Sequence, residues 1–214
     1  NNALTTTNNF KYYRSVNWGQ TWTGVTFSSG WNDFYPSAEL RPGASSSADS
    51  VWIAVERRFS ATNYEIRIIR TPWTPVASNN TYFVTSGGAN VKYEKPSLTV
   101  KQNRACDTAM FTVTKNGVSY YCPTTNGGGL WSVDFSLGGT GNGNNKAFTW
   151  CNTSSRGTAS IIATWVSSDG DSINVRRGVV NFLGTTVYKR NNNTASTSVS
   201  PTCMIYSPNA TTNL

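Results

Sequence analysis

Residues 15–22, Ser-Val-Asn-Trp-Gly-Gln-Thr-Trp, restrict the possible folds more than any other stretch of the chain. Ser15 and Asn17 carry short polar side chains that hydrogen-bond nearby backbone and so close a tight turn. Gly19 supplies a positive φ, which residues with a Cβ resist. Thr21 and Trp22 then resume an extended, aromatic strand. Residues 10–14 alternate as a short aromatic strand on the other side, and residues 22–27 return, so the whole reads as a hairpin.

A hairpin of this kind needs a β protein around it, and the composition supplies one. Thr, Asn, Ser and Gly are abundant and helix formers are scarce, as expected of short strands joined by polar turns. A length of 214 residues allows one domain with a substantial core. Further strands are expected at residues 33–40, 49–56, 64–70 and 81–85, then at 95–100, 107–113, 118–122 and 131–137. A weaker third copy covers 147–151, 158–166, 173–177 and 179–188, and residues 201–206 start another strand. Pro36 and Pro96 head corresponding strands, and Asp49 and Asp107 open the strands that follow them. The period is about 50 to 60 residues, within reach of four-stranded units. The approximate units are 9–27, 33–86, 92–138, 146–190 and 199–206, in a single all-β repeat domain spanning 1–214. On this count the chain begins midway through one unit and ends after the first strand of another.

The eight opening residues resemble the Asp-box, or BNR repeat, of the sialidase superfamily, Ser/Thr-x-Asp-x-Gly-x-Thr-Trp, with Asn17 in the place of the usual Asp. Thr71-Pro72-Trp73 looks like a degraded copy. In that family the box joins the third and fourth strands of a β-propeller blade, far from the active centre, and its Trp packs against the blade. The resemblance implies a β-propeller with Ser15, Asn17, Gly19, Thr21 and Trp22 in a structural role; sialidase-type propellers have six blades, whereas the strand count along this chain gives about four, or a fragment of a larger propeller. The alternative fold is a β-sandwich, which short strands and frequent turns suit as well. Within the propeller reading Trp22 is expected to be largely buried. Deleting its side chain would then cost about 3 to 5 kcal/mol, and Asn17→Ala roughly 1 to 3.

The chemistry open to the chain is narrow. Without histidine, Ser-His-Asp and Cys-His sites are impossible within it. A sialidase-like enzyme would need three arginines for a substrate carboxylate, a Tyr nucleophile helped by a Glu, and an Asp acid/base. The Phe/Tyr-Arg-Ile-Pro segment that carries the family's first arginine is missing, because Tyr13-Arg14 runs into the box. No catalytic residue is assigned. The ten carboxylates read as strand starts or surface groups, and most of the arginines as solvated. Asp169-Gly170-Asp171 is too short for a Ca²⁺ cage and reads as a turn, so no metal or other cofactor is expected. Gly127-Gly128-Gly129 reads as a flexible turn. Trp18, Trp31 and Trp73 fall in turns and loops, where an indole plane can stack on a sugar, with Arg57 and Arg70 as hydrogen-bonding arms.

The expected function is therefore an extracellular, non-catalytic domain that binds glycans or a surface partner. The alternatives are part of a sialidase-like glycoside hydrolase and a structural subunit of a surface assembly. A companion chain or further blades of the same protein are possible partners. The net charge of +8 is spread along the chain rather than gathered in one run, which points away from nucleic acid. No apolar run approaches the roughly 18 to 20 residues that span a bilayer. Cys106, Cys122, Cys151 and Cys203 are an even set with no C-x-x-C pair, so two disulfides and a secreted or extracellular location are expected. Pairing Cys106 with Cys122 and Cys151 with Cys203 is favoured among the three possible arrangements.

Overall fold

The structure is a computed structural model that describes residues 10–27, 31–73, 80–83, 89–100, 107–116, 118–132, 135–140, 147–152, 159–166, 172–179 and 182–191. It is all-β, and among the described residues no helix is long and apolar enough to cross a membrane. β1 (Phe10–Arg14) and β2 (Thr23–Phe27) form an antiparallel ribbon. Three four-stranded antiparallel sheets follow, each a meander of consecutive strands. The first holds β3 (Asn32–Arg41), β4 (Ser50–Arg58), β5 (Tyr64–Pro72) and β6 (Asn80–Phe83). The second holds β7 (Tyr93–Val100), β8 (Ala109–Lys115), β9 (Val118–Thr124) and β10 (Phe135–Thr140). The third holds β11 (Ala147–Asn152), β12 (Ala159–Val166), β13 (Ser172–Val179) and β14 (Phe182–Asn191). The strand expected at 201–206 and the Asp169–Asp171 turn lie outside the described residues.

β4 shows why the sheets stack. Its residues Val51 to Arg57 are all buried, so it is covered on both faces rather than alternating with solvent. On one face Val51, Ile53 and Val55 join Ile69 against Phe27 of the ribbon, with Phe10, Tyr12 and Trp73 packed beside them. On the other, Trp52 and Ala54 join Ile66 and Ile68 against Tyr93, Leu98, Phe111, Val113 and Trp131 of the second sheet. The ribbon, the first sheet and the second sheet are therefore layered in that order. β3 also lies against β7, and β7 against β11.

The corresponding prolines mark corresponding bulges. A proline has no N–H to give to a ladder, and the pairing of β3 with β4 slips between Phe34 and Ser37, around Pro36. β7 slips against β8 between Glu94 and Ser97, around Pro96. In each case the residue before proline lies in the left-handed region, Tyr35 at φ 48° and Lys95 at φ 52°. The bulges also tie the two sheets together. Ser37 Oγ accepts the Leu98 N–H at 2.9 Å, and Glu56 Oε2 accepts the Lys95 N–H at 2.9 Å.

The turn at residues 15–22 forms the expected hydrogen bonds. The Gly19 N–H donates to Ser15 Oγ at 2.7 Å and the Thr21 N–H to Asn17 Oδ1 at 2.9 Å, with Gly19 at φ 84°. The same turn occurs again at residues 124–131, where sequence reasoning expected only a flexible glycine run. There Gly128 N–H donates to Thr124 Oγ1 at 3.2 Å and Leu130 N–H to Asn126 Oδ1 at 2.9 Å, with Gly128 at φ 73°. Thr124, Asn126, Gly128 and Trp131 take the places of Ser15, Asn17, Gly19 and Trp22, roughly 110 residues later. Gly128 is further restricted by packing, since a Cβ there would stand 2.4 Å from Arg70 Nη2 and 3.0 Å from the Trp52 ring.

The two tryptophans differ in their surroundings. Trp131 is buried against Trp52 and Phe111, with ring centres 6.3 and 5.2 Å away. Trp22, expected to be largely buried, is instead 61% exposed and bonds its own turn, Nε1 to Gly19 O at 3.0 Å. The expectation failed because the local sequence shapes the turn, whereas the layer that covers its tryptophan comes from elsewhere. Trp22→Ala is therefore expected to cost only about 1 kcal/mol, the worth of one hydrogen bond. Asn17→Ala keeps its larger cost of roughly 1 to 3 kcal/mol, because it strips acceptor and donor from the turn at once. Denaturant unfolding of the two variants side by side checks the reversal of order.

Candidate functional site

The most chemically varied surface lies where β3 begins, β4 ends and β5 begins. One rung of the first sheet there runs Asp33, Arg57, Glu65 across three adjacent strands, alternating in charge. Arg57 grips Asp33 with two parallel bonds, Nε to Oδ1 at 2.8 Å and Nη2 to Oδ2 at 3.0 Å, and both residues are buried. Arg67 pairs with Glu65 alongside. Trp31, just before β3, and Phe59, just after β4, close over this end with ring centres 4.9 Å apart, edge to face. They are 46% and 39% exposed, so the aromatic pair faces solvent while the charged rung lies behind it. The Arg57 guanidinium sits 6.0 Å from the centre of the Trp31 ring.

The opposite face of β4 carries a second cluster. Arg58 lies between three rings, 4.1 Å from Phe34, 4.7 Å from Tyr64 and 5.8 Å from Tyr35. Its Nε donates to Glu56 Oε1, and Glu56 is fully buried. Burial pushes the Glu56 carboxyl above its ordinary range, against the opposing pull of the Lys95 N–H and Arg58. Lys92 adds a further cation, 5.2 Å from the Tyr64 ring. Tyr35, in its strained bulge, is 50% exposed.

Five residues were expected to bind ligand, and only two of them meet. Trp31 and Arg57 share the rim just described. Arg57 is committed to Asp33, so it braces the site rather than reaching out of it. Trp18 stands fully exposed at the tip of the first turn, and Trp73 packs beside the apolar cluster between ribbon and sheet, 6.0 Å from Arg14. Arg70 lies at the other end of the first sheet, 4.4 Å over the Trp52 ring, on an open hollow of about 490 Å³ that Arg41 also lines. Arg58, Phe34, Tyr35, Phe59 and Tyr64 were missed, although the run Arg57-Arg58-Phe59 and the aromatic pair before Pro36 flag them.

Two expectations about charge are corrected. Asp33, Glu56 and Glu65 are buried rather than superficial, and Arg41, Arg57, Arg58 and Arg67 are ion-paired rather than simply solvated. Tertiary layers on both faces of β4 cause this, and a strand pattern does not report them. Burial raises the carboxyls of Glu39, Glu56 and Glu65. A carboxyl raised on folding binds protons more tightly in the native state, so its contribution to stability falls as pH rises through and above the carboxylate range. Glu39 is the cleanest case, because burial is the cause of its shift. Glu39→Gln should stabilise the protein near neutral pH, and the gain should vanish as pH falls below that range, in paired unfolding curves.

Among the described residues no group of three or more Cys, Asp or Glu is placed to hold a metal ion. Cys122 is buried on β9, while Cys106, Cys203 and the side chain of Cys151 lie outside the described residues. No family model matches the chain, and a search of curated proteins finds none similar to it.

Proposed function

We propose that the chain is a propeller-type array of Asp-box repeats that serves as an extracellular binding domain for glycans, with the rim at Trp31 as its contact surface. The observation that carries this reading is the Trp31–Phe59 pair, solvent-facing and braced from behind by the buried Asp33–Arg57 clamp. A pyranose ring offers a face of C–H groups that stacks on an exposed indole, and its hydroxyls pair with fixed polar groups around it. Lys92 on the same end of the sheet adds positive charge, which favours acidic sugars. The three buried carboxylates are each held by an arginine, which suits recognition better than acid–base chemistry. Supporting the array are the layered four-stranded meanders, the paired bulges and the second box-like turn. Secretion and the two disulfides belong to the same reading.

A glycan array followed by titration of the best ligand tests it. Trp31→Ala should weaken binding about tenfold or more, the loss of one stacked aromatic worth roughly 1.4 kcal/mol, with little change in the unfolding midpoint. An empty array, or a variant that binds as well as the parent, removes the reading.

A further inference from the structure

The hollow at the end of the first sheet away from Trp31 is built from segments that hold their own shape. Trp52, 1% exposed, lines its base. The loop from β3 to β4 forms one side and is fixed by two bonds, the Gly43 N–H to Asp49 Oδ1 at 2.8 Å and the Ala48 N–H to Ser45 O at 3.0 Å. That loop is closely folded, since a Cβ on Gly43 would stand 2.3 Å from Ala48 O. The second box-like turn reaches the hollow through Gly127, whose N–H donates to Asp107 O at 2.8 Å. Two guanidinium groups share the base. Arg70 and Arg41 come from the strands on either side of β4, lie 4.4 and 5.7 Å from the centre of the Trp52 ring, and both line the hollow. Arg41 already holds an oxyanion there, because its Nη2 donates to Asp107 Oδ1 at 3.0 Å. That bond is weakly protected. The Asp107 side chain is 62% exposed, and an ion pair so open to water contributes little. Its main chain is pinned by Gly127, so the carboxylate can swing away without disturbing either sheet.

We propose that this hollow binds an oxyanion, the carboxylate, sulfate or phosphate group of a small acidic ligand, with Arg41 and Arg70 as its cationic arms and Asp107 as the tethered group that the ligand displaces. A guanidinium presents several N–H donors in one plane, which matches such a group. Arms held against an indole lose less freedom on binding than mobile ones do. The volume of about 490 Å³ is that of a small-molecule site. Asp49 and Asp107 offset the two arginines, so displacement of Asp107 leaves a positive hollow for the ligand to neutralise. The site is separate from the Trp31 rim, and the inference does not rest on glycan recognition.

Titration of the intact chain with sodium sulfate, phosphate and glucuronate, at ionic strength matched with chloride, tests it. The readout is the NMR signal of each arginine Nε–H, assigned through Arg41→Lys and Arg70→Lys. The Arg41 and Arg70 signals should shift saturably with at least one of the three anions, and the one that saturates at the lowest concentration names the ligand's acidic group. Arg41→Gln should weaken that binding about tenfold. Asp107→Asn, a change at an exposed position that leaves the fold intact, should strengthen it about two- to fivefold by removing the tethered competitor. No saturable shift with any of the three overturns the proposal, and so does an Asp107→Asn variant that binds no more tightly than the parent. An equal shift on adding chloride alone, the mark of ionic screening, overturns it as well.

Discussion

Trp52→Ala should lower the stability of the protein by about 3 to 5 kcal/mol, the range for deleting a buried aromatic. Trp52 is 1% exposed and stands between the first two sheets, edge-on to Trp131 and beneath two guanidinium groups, Arg70 at 4.4 Å and Arg41 at 5.7 Å. Removing the indole leaves a void that the facing sheet cannot easily fill, because Gly128 and the turn around it are held by their own hydrogen bonds. The two arginines also lose the ring on which they lie. Urea unfolding should show a lower midpoint at unchanged slope. A loss below about 1 kcal/mol would mean that the two sheets do not depend on this contact.

Asp33→Asn should be comparably damaging, about 3 to 5 kcal/mol, because it removes the charge of the carboxylate that the buried Arg57 guanidinium grips with two bonds and leaves only Glu65 on the next strand to offset it. The informative companion is the double variant Asp33→Leu with Arg57→Met, which replaces the pair with apolar groups. Exchanging a buried ion pair for well-packed hydrophobic residues is often neutral or stabilising by roughly 1 to 4 kcal/mol. The double variant should therefore recover most of the stability that the single one loses. If it is instead as unstable as Asp33→Asn, the clamp contributes through its geometry at the rim and not only by neutralising charge.

Much of the fold was legible because its signals are local. Phe10–Arg14 was placed to the residue, since alternating aromatics ended by Ser-x-Asn permit little else. Pro36 and Pro96, read from the sequence as heading their strands, correspond as expected but lie inside β3 and β7 at bulges, where a missing N–H interrupts the ladder. The second box-like turn was hidden by two substitutions that its hydrogen bonds do not need. Leu130 gives only its N–H where Thr21 stands in the first turn, and Gly127 replaces Trp18 at a position of positive φ. The candidate site was legible only in part. Glu56 looks like the polar end of an alternating strand, and only the layer above it reveals a buried charge that receives a backbone N–H from the next sheet. Trp22 and Trp131 make the same point, since equivalent turns leave one indole in solvent and the other in the core.

The ties between the bulges bear on how the molecule comes apart. Arrays of similar units, each touching only its neighbours, lose cooperativity when the coupling between units is weak. Here Ser37 and Glu56 of the first sheet hold main-chain N–H groups of the second, so neither sheet can open without leaving the polar groups of the other unmatched. Exchanging such part-buried bonds for water costs about 0.5 to 1.5 kcal/mol each. Partial opening at this junction is penalised from both sides, and the first two sheets behave as one cooperative unit rather than as two links of a chain.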